Sequence, residues 1–171
     1  MLQSAKVAGI ATDPATGGYW VATNRGNVFS FNAPWYRSEA GKKLPAPVAA
    51  IAADGAGYLL VTRAGHVYAF HTKSHGSVTR KLPSAVTGLA VDPVTGGYWI
   101  TTSTGHVYNF NAPWYGSEAG KKLPAPVVAI VADGPGYLLV TAAGHVYAFH
   151  TTGYGSVTGK PSAAVIGGVA G

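Results

Sequence analysis

Six carboxylates and six histidines, with no cysteine, are the carboxylate, imidazole and thiol groups that 171 residues offer for acid/base catalysis or metal ligation. Four of the acids, Asp13, Asp54, Asp92 and Asp133, recur at spacings of 41, 38 and 41, each closing an apolar run and opening a glycine-containing turn. An aspartate there accepts bonds from backbone N–H groups two residues ahead, which is a structural duty. That leaves Glu39 and Glu118, which occupy the same place in two copies of one sequence unit. Paired acid and base catalysis needs two carboxyls in one site whose environments push their pKa values apart. Two equivalent acids in separate copies do not supply that, so no glycosidase centre is expected and the chain reads as no enzyme.

The histidines point no further toward chemistry. His66, His106 and His145 correspond to Asn27, and only His71 and His75 lie four apart. A zinc site needs more ligands than one such pair, so neither a metal nor a cofactor is expected. The segment Gly116-Ser117-Glu118-Ala119-Gly120-Lys121-Lys122 is one residue short of a phosphate-binding loop and lacks the Ser/Thr that should follow its lysine.

Binding chemistry is better represented. Asn32-Ala33-Pro34-Trp35-Tyr36 returns as Asn111-Ala112-Pro113-Trp114-Tyr115, and Glu39 and Glu118 follow three residues after each tyrosine. An aromatic platform rimmed by amide and carboxylate groups suits a sugar ring, whose faces are rich in C–H and whose edges are hydroxyls. Asn32, Trp35, Tyr36, Glu39, Asn111, Trp114, Tyr115 and Glu118 are therefore the candidate ligand-binding residues. Trp20 and Trp99, inside apolar strand patterns, read as core.

The elements that must position these residues come from the repeat itself. Asp13 to Trp20 returns as Asp92 to Trp99 after 79 residues, with a related copy in each interval. The repeats cover about residues 7–47, 48–85, 86–126 and 127–161, and a period near forty is that of a four-stranded propeller blade. Each repeat opens with a short apolar run rich in small residues, suited to an innermost strand buried on both faces. A second strand follows and ends at Thr-x-x-Gly, where Gly26, Gly65, Gly105 and Gly144 suit a tight hairpin. The third strand alternates, so that Phe29 and Phe31 and their equivalents share a face that packs between repeats. The expected architecture is one all-β domain over residues 1–171, a β-propeller of four four-stranded blades. Residues 162–171 read as a surplus copy of the innermost strand. Two chains could thereby close an eight-bladed ring with C2 symmetry, or one chain a four-bladed ring.

With Gly97-Tyr98-Trp99-Ile100, Gly105-His106-Val107-Tyr108-Asn109-Phe110 and Pro113-Trp114-Tyr115-Gly116-Ser117 in view, the chain over residues 7–161 resembles the Gly-Tyr-Trp-Leu-Val propeller repeats of actinobacterial secreted proteins. The resemblance implies a binding role, a secreted or cell-surface location and a glycan or wall polysaccharide as partner. Leu59 and Leu138 replace the tryptophan in alternate copies, so the chemical unit is two repeats.

Net charge is +6, and Lys42-Lys43, Arg80-Lys81, Lys121-Lys122 and Lys160 share one slot between successive repeats. Such a ring of charge keeps exposed connections soluble and could attract a polyanion, although nucleic acid is not the expected partner. No targeting segment is seen, and the apolar runs are far too short to cross a bilayer. The expectation is a non-catalytic, lectin-like propeller, likewise drawn as a homodimer. The alternatives are a scaffold that oligomerises through its surplus strand, or a polyanion binder.

Overall fold

The computed structural model describes residues 4–168, so residues 169–171 of the surplus strand expected over 162–171 lie outside the described residues, and residues 162–168 form no strand. Two compact units, Met1–Leu82 and Pro83–Gly171, each hold two repeats. In the first unit, β1 (Val7–Thr12), β2 (Tyr19–Thr23) and β3 (Val28–Phe31) form one antiparallel sheet, and β4 (Val48–Asp54), β5 (Gly57–Thr62) and β6 (Val67–Phe70) a second. The second unit repeats this with β7 (Val86–Val91), β8 (Tyr98–Thr102) and β9 (Val107–Phe110), then β10 (Val127–Asp133), β11 (Gly136–Thr141) and β12 (Val146–Phe149).

The order of strands agrees with the sequence reading, but each sheet has three strands where four were expected. The return segment after the third strand is irregular because it cannot build a ladder. Pro45 and Pro47 lack N–H groups, and Arg37 and Gly41 sit at φ 122° and 75°. Its backbone instead makes one bond to the preceding hairpin: Glu39 N donates to Gly26 O at 2.9 Å, as Val78 does to Gly65, Glu118 to Gly105 and Val157 to Gly144.

Side chains serve the outer edge of the third strand in place of a fourth. In the first and third sheets an indole N–H does so, Trp35 Nε1 donating to Val28 O and Trp114 Nε1 to Val107 O. In the second and fourth, Val67 N and Val146 N donate to the hydroxyls of Ser77 and Ser156 at 2.9 Å. Each bond ties down a backbone group that would otherwise offer itself to another strand.

The hairpin glycines behave as their spacing implies: Gly26, at φ 82°, donates its N–H to Thr23 O at 2.9 Å. The aspartate turns come in two kinds. Asp13 accepts from Ala15 N at 3.0 Å and from the Thr16 hydroxyl at 2.7 Å, and Asp92 does the same with Val94 and Thr95. Asp54 and Asp133 instead accept from the hydroxyls of Thr72 and Thr151, because Gly55-Ala56 and Gly134-Pro135 make two-residue turns that leave the carboxylate free to reach across the sheet.

Within each unit one sheet lays its face on the next. Opposed residues share a face, so Ile51, Leu60 and Tyr68 form one row of the second sheet and Ala53, Tyr58 and Phe70 another. These rows pack on Ala11, Trp20, Ala22 and Val28 of the first sheet. The Trp20 and Tyr58 rings meet at 5.0 Å, as do Trp99 and Tyr137 in the second unit. Approach is close at the first strands of the two sheets: a Cβ placed on Gly88 of β7 would lie 2.9 Å from Ile130 N of β10, which explains the small residues there.

Candidate functional site

Trp20 and Trp99 are fully buried, each donating Nε1 to the carbonyl of Pro34 or Pro113 at 2.7 Å. This bond holds the Asn-Ala-Pro-Trp-Tyr segment against the sheet and turns the next aromatic outward. Trp35 is 57% exposed and Trp114 56%, each with its indole N–H already spent on the strand edge. What they offer a ligand is a flat apolar face without a hydrogen-bonding tip.

Their expected companions have other duties. Tyr36 and Tyr115 stack on His71 and His150 with centroids 4.2 Å apart, and their N–H groups donate to the Tyr58 and Tyr137 hydroxyls. Asn32 and Asn111 adopt φ 51°, and each donates its amide N–H back to the carbonyl of Thr16 or Thr95. Glu39 and Glu118 are buried, each paired with Lys42 or Lys121 at 3.0 Å. The repeat therefore brings aromatic, amide and acid close in sequence, but the amide and acid hydrogen-bonding groups are turned to structural partners. The histidines that stack on the tyrosines were not among the candidate residues; their order in the alternate repeats carried the only signal.

All six carboxylates thus have a structural partner within the protein. No group of three or more metal-ligating side chains comes together among the described residues. Burial raises the pKa of Tyr58 and Tyr137 above the ordinary tyrosine value, against the opposing effect of the backbone bonds at their hydroxyls. Tyr68 moves the same way, from desolvation and then from the negative charge of Glu39.

The strongest surface feature lies elsewhere, on the face of the first sheet that corresponds to the packing face of the second and fourth. Ile10, Val21 and Phe29 form one row and Thr12, Tyr19 and Phe31 the next. Ile10 is 62% exposed, whereas Ile51 and Ile130 at the same register are 7% and 5%. Tyr19 is 39% exposed against 0% for Tyr58 and Tyr137, and Phe31 is 48% against 8% for Phe70. The Tyr19 and Phe31 rings stack on each other at 5.0 Å.

Similar sheets occur in known structures. Raptor from Chaetomium thermophilum superposes with a TM-score of 0.57 at 11% identity over 92% of this chain and 17% of its own. The Cps50 (Swd1) β-propeller domain from Myceliophteria thermophila does so with a TM-score of 0.54 at 12% identity, over 84% of this chain and 51% of its own. The sheets are propeller-like blades. The chain spans about half or less of either protein, and identity this low establishes the fold alone. No protein-family model and no curated protein sequence matches the chain. No helix among the described residues is long and apolar enough to cross a membrane.

Proposed function

We propose that the chain is a non-catalytic, propeller-type scaffold that associates with copies of itself through the open face of its first sheet. The observation that carries this reading is the exposure of Ile10, Tyr19 and Phe31 where Ile51, Tyr58 and Phe70, at the same register of the second sheet, are buried against a neighbouring sheet of the same kind. Burying a large apolar side chain contributes roughly 1.5–3 kcal/mol, so several in contiguous rows favour an occupant. The occupant with the right shape is another blade, since the repeat already packs blade on blade within each unit. Sedimentation of Ile10→Asp and Phe31→Glu variants tests this: association should be lost with the fold intact, and an unchanged mass would contradict it.

A second reading is favoured by one observation, the near-identical exposure of Trp35 and Trp114 at equivalent positions. Two such platforms on one chain suit weak, multivalent stacking against glycan rings. Binding to polysaccharide that survives in the Trp35→Ala/Trp114→Ala double variant would remove these residues from that reading.

A further inference from the structure

The face of the fourth sheet that would meet a following blade is already occupied in part by residues 165–168 of the same chain. Val165 N donates to Ala142 O at 2.9 Å. The same bond leads the chain into the next sheet at Val48, which donates to Asn24 O, and at Val127, which donates to Ser103 O. Three residues beyond these valines stand Ile51, Ile130 and, in the tail, Gly168. Ile51 and Ile130 press their Cγ2 atoms toward Gly9 and Gly88 of the preceding inner strand, 3.2 and 3.0 Å from where a Cβ would be. Gly168 lies over the matching residue of the fourth sheet, with its own Cβ position 3.6 Å from Ala129 Cβ and 2.7 Å from Val131 Cγ2. Residues 165–168, although they form no strand, therefore follow the path by which Val48 and Val127 enter β4 and β10.

The tail holds this place without filling it. Gly167 and Gly168 carry no side chain, and Ile166 is 91% exposed. Leu138, Val140 and Val146 beneath are only half-buried, whereas Trp20, Ala22 and Val28 on the corresponding face of the first sheet are buried under the second. β1 of a second copy has what the tail lacks. Its Val7 and Ile10 match the register of Val48 and Ile51, and both are exposed.

We propose that residues 162–168 are a built-in cap that competes with the β1–β3 sheet of a second copy for the β10–β12 sheet. This rests on the self-association reading above and names the two surfaces that meet and what regulates them. Two chain segments cannot occupy one strand position, so the tail must leave before the second copy seats. A cap docked about nine-tenths of the time weakens the apparent affinity about tenfold.

Sedimentation equilibrium on the full chain, on a chain ending at residue 161 and on Val165→Pro tests the proposal. Proline at residue 165 has no N–H to donate to Ala142 O and loosens the segment without shortening the chain. Both variants should self-associate about tenfold more tightly than the full chain. Adding Ile10→Asp to either should abolish the gain. Unchanged or weaker association in the two tail variants overturns the cap while leaving the self-association reading standing. Tighter association that is indifferent to Ile10→Asp overturns the β1 face as the partner surface and the self-association reading with it.

Discussion

The first and second sheets are built from the same repeat, yet the same rows of side chains meet different surroundings. On the second sheet Ile51, Tyr58 and Phe70 are sealed against Trp20, and the Tyr58 hydroxyl donates to Arg37 O at 2.6 Å. On the first, Ile10, Tyr19 and Phe31 carry the same kind of surface into solvent. The difference teaches that a blade's face is specified by its own sequence, whereas its burial depends on what is stacked beside it, as in any array of nearest-neighbour units.

That contrast can be broken most sharply by matched truncation. Tyr58→Ala should cost about 3–5 kcal/mol of unfolding free energy, the range for large aromatic truncations in cores. Tyr19→Ala, which loses its cross-strand stack on Phe31, should cost only about 1 kcal/mol at concentrations too low for association. Denaturant titration of both variants separates the two, and equal losses would mean the first sheet's face is covered within one chain.

A smaller effect separates the two turn types. Asp13→Ala leaves the Ala15 N–H and the Thr16 hydroxyl without their shared acceptor at a buried site, at about 1–3 kcal/mol. Asp54→Ala loses the Thr72 hydroxyl bond at a half-buried one, at about 0.5–1.5 kcal/mol. Thermal unfolding of the pair should rank them in that order.

Alkaline pH probes the sealed face alone. Burial raises the Tyr58 and Tyr137 pKa, so the folded chain holds these protons more tightly than the unfolded chain. Their contribution is complete below the unfolded value near pH 10 and is lost as pH rises through the raised folded value. Stability measured across this range should fall, and less steeply in Tyr58→Phe/Tyr137→Phe. The smallest effect is expected at the surface. Lys42 pairs with buried Glu39, but its side chain is 63% exposed, so Lys42→Met should change stability by less than about 1 kcal/mol, with a salt dependence that vanishes in the variant.

Much of the architecture could be read from spacing. The recurrence of the aspartates and of Thr-x-x-Gly marks two hairpins per repeat, and the alternation in Val67-Tyr68-Ala69-Phe70 assigns the packing rows correctly. The missing fourth strand was less legible, because its proline- and glycine-rich segment is satisfied by single bonds to Gly26 and its equivalents, which leave no periodic pattern. At the candidate site, the exposure of Trp35 follows from the proline before it and from the bond that Trp20 makes to that proline's carbonyl. The burial of Glu39 was hidden, since a glutamate three residues before a lysine looks the same in solvent as it does folded beneath a hairpin. Ile10 posed the opposite difficulty: its residue type announces a core position, and only its place in the stack exposes it.

The central claim is tested most directly by sedimentation equilibrium of the unmodified chain beside Ile10→Asp over a wide concentration range. The account predicts a concentration-dependent rise in mass for the former and a single monomer mass, with unaltered β-sheet circular dichroism, for the latter. Identical mass curves for the two would contradict it.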